Sequence, residues 1–451
     1  FTFIDLFAGI GGFHIGAASL GGKMLGFSEI EASAIEYYCK NFNCDIEKNY
    51  GDITKIDTLP KHDLLTGGVP CQSWSIAGKK LGFDDDRGQL WNDTIYLLNK
   101  SRPKAFIFEN VKGLVQPRNK EAFEYILNRI REAGYYATHI VINSYDFGVL
   151  QNRERVYIVG FKEKKYFKKF IEPAPIKHDG KLHQILENLE EPSETKAKFR
   201  EKDLFGNFVP MARTKFQKKD EFNDFFLFND IRNGHTTVHS WDLIETSEFE
   251  KHICLTLLRN RRKKTYGILD GNPLSLKHLK SLIPEVTQED IDGLIEKNIL
   301  KSIEYQFEIL DFENELEEDE RLVLEQSKSN VFTIDQLKMA KVLWREKVSF
   351  SKVLPVLLEK NIIRCIESRY DFKYTKISSG IFGINRIYLP NSDIYSTMVA
   401  SDTNDYVSEI NITGKTKEEY KRNFIKKVYK PGKYRKITKE EACMLQGFPK
   451  D

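Results

Sequence analysis

The sequence predicts an α/β fold class, a largely parallel β-sheet covered by helices on both faces, followed by a second region of different build. Three observations predict it. Between Phe1 and about Pro173, six short apolar runs (FTFIDLF, KMLGFSEI, HDLLTGGV, AFIFENV, THIVINS and RVYIVGF) alternate with amphipathic stretches such as ASAIEYYCKNF and AFEYILNRIREAGYY, the spacing of strand and crossover helix. Beyond about Glu172 glycine becomes sparse, charge runs such as ELEEDER (315–321) appear and the rhythm is lost. The length of 451 residues exceeds what one compact core holds, so two or three domains are expected.

Composition narrows the function classes. Hydrophobic residues at 41% and charged residues at 30% exclude wholesale disorder. The chain contains no apolar run of membrane-spanning length and opens directly as a strand, so neither a membrane partner nor a signal peptide is expected. The absence of an initial Met suggests that a few leading residues have been trimmed. A balance of 69 Lys and Arg against 66 Asp and Glu, net +3, is too near neutral to indicate nucleic acid by itself. Six scattered cysteines without a C-x-x-C pair, and no histidine cluster at zinc spacing, predict no metal and a reducing, cytoplasmic setting.

In open α/β sheets the chemistry gathers at the carboxyl ends of the strands, and the first strand runs there into a glycine-rich turn, Asp5 to Phe13 (DLFAGIGGF), before a helix. Glycines let backbone approach a ligand closely. Glu29 at the end of the next strand is placed to accept from ribose hydroxyls. Asp52, read as ending a third short strand, is placed to meet an adenine amine. Three such features at successive strand ends suggest an adenosine-type ligand. Cys71 follows the next strand in the polar loop GGVPCQSWS, where a thiolate can be exposed and act as a nucleophile. Strand AFIFENV carries Glu109 to the same rim, where partial desolvation lets a carboxyl donate a proton. Arg153 and Arg155, before strand VYIVGF, alternate onto one side and can hold an anion or a carbonyl oxygen.

In the second region FEKHICLTLLRNRR, LSLKHLKSLIP and TQEDIDGLIEKN read as three short helices followed by the alternating ILKSIEYQFEIL. These are the parts of a winged helix, with Thr287 to Asn298 in the recognition-helix position. The stretch 334–363 is helical and receives no role. The segment 414–436 carries ten Lys or Arg against two Glu with Tyr420, Phe424, Tyr429 and Tyr434 interleaved; it reads equally as a phosphate-contacting stripe or a solvated linker. No internal repeat is evident.

Asp5 to Phe13, Pro70-Cys71-Gln72, Glu109-Asn110-Val111, Gln151 to Arg155, and Arg435 to Thr438 through Leu445 to Pro449 together resemble the ordered motifs of the DNA cytosine C5 methyltransferases, in particular those of bacterial restriction-modification systems. The likeness covers residues 1 to about 175 and about the last seventeen. It implies a Rossmann-like S-adenosylmethionine-dependent catalytic domain (1–175) with a mixed, mostly parallel sheet. A target-recognition region (176–434) with a large helical insertion (about 178–370) would follow, and the chain would return to the catalytic domain at 435–451. By the same resemblance Phe7, Ala8, Gly9, Ile10, Gly11, Gly12, Glu29, Ile30, Asp52, Ile53, Gly68 and Leu90 hold S-adenosyl-L-methionine and release S-adenosyl-L-homocysteine; the position of Ile30 is often aromatic in the family. Cys71 adds to C6 of a flipped cytosine, Glu109 holds N3 and the exocyclic amine, and Arg153 and Arg155 hold O2 and the active-site loop. DNA contacts fall on Gln72, Ser75 and Arg87 of a closing loop and on Thr397, in a Thr-Met step that stands for the family's Thr-Leu. The implied partners are double-stranded DNA and a cognate restriction endonuclease, in a bacterial cytoplasm. Family members continue past the GFP motif, so a further C-terminal segment or a second polypeptide is expected to complete the pocket. The rival readings are a tRNA cytosine C5 methyltransferase and an inactive DNA-binding scaffold.

Overall fold

The computed structural model describes residues 1–70, 86–191, 224–234, 236–311, 313, 315–327, 329–377, 379–398 and 404–449, the side chains of 86–89 excepted. Cys71, Gln72, Ser75, the closing loop and the Arg87 side chain therefore lie outside the described residues.

All six apolar runs form strands: β1 (Thr2–Leu6), β2 (Lys23–Ser28), β3 (Leu64–Gly68), β4 (Ala105–Val111), β5 (Tyr136–Asn143) and β6 (Glu154–Phe161). They make one sheet in the order β2-β1-β3-β4-β6-β5. Neighbours among β1 to β4 are parallel, and β6 runs antiparallel to both β4 and β5, so the sheet is mixed and mostly parallel as expected. The helices of this body are α1 (Gly12–Ser19), α2 (Ala32–Phe42), α3 (Asp86–Ser101), α4 (Lys120–Glu132) and the short α5 (Lys164–Phe167).

Alternation along β1 explains why both faces are covered. Ile4 and Leu6 join Trp91 and Leu98 of α3 and Ile126 and Ile130 of α4 in the main core, whereas Phe3 meets His14 of α1 edge-on. Phe27 of β2 stacks on Tyr38 of α2. Register then aligns the site: Leu6 lies opposite Gly67, Gly68 opposite Glu109 and Val111 opposite Arg155. One expectation fails here, because Asp52 ends no strand. Gly51 has a positive φ of 71°, and Asp52 caps a 3₁₀ turn over Ile53–Lys55 by accepting from the Thr54 N–H; a carboxylate bonded to the backbone two residues on favours a turn over a strand.

The second region begins with β7 (Phe225–Phe228) and β8 (Thr237–Val238). There follow α6 (Ser240–Leu243), α7 (Glu248–Asn260), α8 (Leu276–Leu282), α9 (Gln288–Glu296), β9 (Leu300–Ile309), α10 (Glu318–Leu324), β10 (Val331–Thr333), α11 (Ile334–Met339), α12 (Lys341–Arg345), α13 (Phe350–Glu359) and β11 (Ile363–Phe372). The chain closes with β12 (Arg386–Tyr388), β13 (Asp405–Ser408), α14 (Lys417–Phe424), β14 (Tyr434–Arg435) and α15 (Lys439–Leu445). A five-stranded sheet in the order β14-β13-β12-β7-β8 draws on both ends of this region. Residues 225–238, read from sequence as part of the extra stretch, thus belong to that sheet, and the inserted body runs from about α6 to β11. Its sheet is β10-β9-β11, and it holds two cores. One gathers Trp241, Leu257, Leu279, Leu294 and Phe372; the other gathers Phe307, Val323, Phe332, Leu337 and Leu357. The buried Arg261 and Asp371 pair through two bonds (2.9 and 3.2 Å) and tie α7 to β11.

Backbone contact ties the second region back to the first. Tyr395 bridges Gln151 and accepts from the Asn152 N–H (2.8 Å). Arg435 holds Glu441 of α15 through both guanidinium nitrogens (2.7 and 2.8 Å) and donates to the Glu187 carbonyl.

Candidate active site

The glycine turn after β1 is held in left-handed backbone at Phe7, Gly9 and Gly11 (φ 51°, 55° and 96°), conformations in which L side chains are strained. Gly11 is fixed by packing, since a Cβ there would stand 2.1 Å from the Phe42 ring. Gly9 and Gly12 are different: a Cβ at either would meet nothing within 4 Å, so this edge of the turn faces open space that a ligand can enter. Ala8 N–H donates to the Ser28 carbonyl (3.0 Å), pinning the turn to β2.

Glu29 is the organiser of that edge. One carboxylate oxygen accepts from the Gly9 N–H (2.8 Å), and the other accepts from the N–H groups of Ile30 (2.8 Å) and Glu31 (3.0 Å). Its one remaining acceptor site is suited to a ribose hydroxyl. Ile30 is 74% exposed beside it and offers an apolar wall, whereas the Ile53 side chain is buried in the main core and leaves only its backbone to a ligand. Leu90 is half-buried against that core. Sequence reasoning missed Asp93 on α3: its carboxyl is held above the ordinary range by burial and by the charge of Asp52, which places two carboxylates together. Thr54 donors hold Asp52 itself low.

Asp5 lies beneath the turn, fully buried. Thr66 donates to one oxygen (2.8 Å) and the other has no partner among the described residues. Burial, reinforced by Glu29 and opposed by the Thr66 bond, raises its pKa to about 7. Because the folded value exceeds the unfolded one, the stability tied to the neutral acid is full at low pH and is lost as pH rises toward 7. Asp5→Asn is therefore expected to stabilise the chain above pH 7 by on the order of 4 kcal/mol, at 1.36 kcal/mol per pH unit, with the gain shrinking as pH falls toward 4. Thermal melting at pH 5 and pH 8 without added cofactor checks this; an equal shift at both would refute the titration.

The base-facing side is built across β3, β4 and β6. A Cβ at Gly68 would lie 3.6 Å from a carboxylate oxygen of Glu109 and 3.9 Å from the Phe7 carbonyl, so this one residue stands between the glycine turn and the glutamate. The Arg155 Nε sits 2.6 Å from Glu109, with only 17% and 22% of the two side chains exposed, and its Nη1 donates to the Glu154 carbonyl. The structure thus sets a guanidinium against the Glu109 carboxyl group, a partner the sequence did not pair with it. Arg153 feels both: burial and the neighbouring Arg155 lower its pKa, and Glu109 opposes them. Two groups not singled out from sequence complete the wall. Asn110 donates to the Val69 carbonyl (3.1 Å), fixing the strand that leads into Cys71. Tyr157 is half-buried beside Glu109, and burial and that carboxylate together raise its pKa.

Asn143 orders the Gln151–Arg155 segment by accepting from the Arg153 N–H (3.1 Å) and donating to the Asn152 side chain (2.7 Å). Gln151 is fully buried, and neither polar atom of its amide has a partner among the described residues. Thr397 donates its hydroxyl to the Asn152 carbonyl, so it bears on this segment through backbone. The basic stripe resolves into α14 and a π-helical turn over Ile425–Tyr429. Its Tyr420 and Phe424 are buried, with Phe424 stacked 3.7 Å from Phe226. Those aromatics are core, while Lys417, Lys421, Arg422 and Lys426 line an open groove facing Asp242 and Thr246.

The family model for C-5 cytosine-specific DNA methylases matches residues 1–451. The chain belongs to that family. It is therefore a DNA cytosine C5 methyltransferase. It is 41% identical over its whole length to Type II methyltransferase M.HgiBI of Herpetosiphon aurantiacus, covering 89% of that protein. Type II methyltransferase M.NlaIV of Neisseria lactamica is 35% identical over 66% of the chain and 72% of its own length. Among solved structures, a putative DNA modification methyltransferase encoded within an E. coli prophage is 26% identical over 45% of this chain and 58% of its own, with a TM-score of 0.34.

Proposed function

We propose that this DNA methylase acts as the modification enzyme of a type II restriction-modification system, in a bacterial cytoplasm with a cognate endonuclease for partner, and that Cys71 is its nucleophile. The observation that carries the mechanism is Gly68, at which the open glycine turn and the Arg155-bound Glu109 come within reach of one another. S-adenosylmethionine, when bound, supplies an electrophilic methyl group on a sulfonium. The residues fit it: open space beside Gly9 and Gly12, Glu29 toward the ribose, Ile30 as a wall for the adenine, and Asp52 with Asp93 toward its amine.

Cytosine C5 is a weak nucleophile, and the chain's own residues correct that. The target nucleotide leaves the duplex stack to reach the pocket. Glu109 accepts from the exocyclic amine through one oxygen and, as the acid, donates a hydrogen bond to N3 through the other, Arg155 fixes the carboxyl group, and Arg153 is directed to O2. Addition of the Cys71 thiolate at C6 pushes electron density to C5, which attacks the methyl carbon. A base removes the C5 proton, and elimination of the thiolate restores the ring. Gln72, Ser75 and Arg87 are assigned to DNA contact in this reading, and Thr397 supports the Gln151–Arg155 segment from the recognition region.

The test is bisulfite sequencing of mixed-sequence plasmid after incubation with the chain and S-adenosylmethionine. Protected cytosines in one short motif are expected. Protection of tRNA with none of DNA would overturn the substrate assignment.

A further inference from the structure

The inserted body contains the same unit twice. Leu294–Glu304 (LIEKNILKSIE) and Leu357–Glu367 (LLEKNIIRCIE) agree at seven of eleven positions, although no repeat is evident on a first reading. The structure repeats what the letters repeat. Asn298 and Asn361 both end their helices in left-handed backbone (φ 56° and 57°). Ile299 N–H donates to the Leu294 carbonyl as Ile362 N–H does to Leu357 (3.0 and 2.9 Å). Lys297 pairs with Glu250 in the first turn of α7 (2.7 Å), and Lys360 pairs with Glu320 in the first turn of α10 (2.6 Å). Leu274 bridges Tyr370, and Phe332 pairs with Phe307; each is followed by a capping box, at Ser275 and at Thr333.

The first copy runs helix, a single bridging residue, two helices and a long strand, and the second runs helix, short strand, two helices with α12 inserted between them, and a long strand, the order of a winged helix. The long strands β9 and β11 pair antiparallel along their whole length. Each strand follows the third helix of one copy and flanks the core of the other, so the two copies are intertwined about one ribbon.

The copies have diverged in charge. The expected recognition helix, Thr287–Asn298, carries Glu289, Asp290, Asp292 and Glu296 against Lys297 alone, and Lys297 is spent on Glu250. Phosphates repel such a face, so this helix is no DNA reader. In the second copy, Leu279 answers to Leu337 at 58 residues and Leu294 to Leu357 at 63, so five extra residues stand between its second and third helices. There lies the five-residue α12. Leu343 is buried and anchors it, while Trp344 is 86% exposed. In the sequence flanking Trp344, Lys338, Lys341, Arg345, Lys347 and Lys352 are all exposed against one exposed acid, Glu346, and none of the five has an ion-pair partner among the described residues.

We propose that α12 and the start of α13 form an auxiliary DNA surface, on which these cations grip the phosphates of duplex flanking the methylated site and Trp344 packs against the sugar-phosphate edge. Unpaired cations interleaved with an exposed aromatic fit a polyanion with flat faces. The inference rests on the DNA methyltransferase reading.

The experiment compares two duplexes, one barely covering the methylated motif and one extended by roughly 20 base pairs, about two helical turns. The wild-type chain and a Lys341→Glu/Arg345→Glu/Lys352→Glu variant are measured for affinity across a salt series, with a Trp344→Ala variant as a second probe and thermal melting as the folding check. Loss of three phosphate contacts is expected to lower affinity for the extended duplex about tenfold or more and to flatten its salt slope by roughly 2 to 3. The short duplex should change by less than about twofold. Equal affinity of variant and wild type for the extended duplex, or an equal loss on both duplexes, overturns the proposal. Wild-type methyl transfer to the extended duplex is scored in the same samples: its absence would sink the underlying reading, whereas its presence with an unchanged variant sinks only this surface.

Discussion

A chain carrying Cys71→Ala is expected to transfer no methyl group above background, a loss of roughly 10⁴-fold or more, as when the nucleophile of a covalent mechanism is deleted. Without thiolate addition at C6 the ring keeps its aromatic stabilisation, and C5 has no electron pair to offer the sulfonium methyl. The substitution removes one sulfur, so binding of DNA and cofactor should persist. A second readout separates chemistry from positioning. DNA whose target C5 carries fluorine, which cannot leave as a cation, should trap the wild-type chain as a complex that survives denaturation, and the variant should form none. Methylation at near wild-type rate by Cys71→Ala would remove the covalent step from the mechanism.

Glu109→Gln is the second large effect. The amide keeps the volume and one acceptor for the exocyclic amine but loses the acidic proton on which charge developing at N3 draws, and it leaves the Arg155 guanidinium, now 2.6 Å from Glu109, without its counter-ion. A loss of about 10²- to 10³-fold in kcat is expected, the range for removing one electrostatic stabiliser, with KM for DNA changing far less because the interaction is made in the transition state. Single-turnover methylation across a DNA concentration series checks it. A rise in KM with kcat intact would reassign Glu109 to substrate binding. Melting of the variant should fall measurably, since the substitution leaves a largely buried guanidinium without its counter-ion.

Much of this site was legible in the chain itself. Six apolar runs became six strands because a sheet buried on both faces needs near-continuous apolar sequence, and the strand ends carry their chemistry locally: glycines after β1, Glu109 near the end of β4, Arg153 and Arg155 at the start of β6. Other features escaped for identifiable reasons. Asp93 lies 41 residues from Asp52 in sequence, and only the packing of α3 brings their charges together. The Asp52 strand was misread because a short apolar run cannot announce that its carboxylate will cap a turn. The duplication escaped because the spacing between copies shifts from 58 to 63 residues at α12, which erases any fixed period. The aromatics of the basic stripe, Tyr420 and Phe424, could have faced base or core; burial against Phe226 decided it.

By itself, then, the sequence determined the class of the sheet, the order of its strands along the chain, and which side chains stand at their carboxyl ends, because those properties are written in periodicities a few residues long. Tertiary structure decided what those side chains meet: Arg155 on Glu109 across 46 residues of chain, Gly68 between the turn and the glutamate, Tyr395 against Gln151, and two interlocked copies on one ribbon. Such meetings depend on strand register and on how distant helices share a core. No local pattern encodes them, since their energy is realised only when the separate elements are packed together.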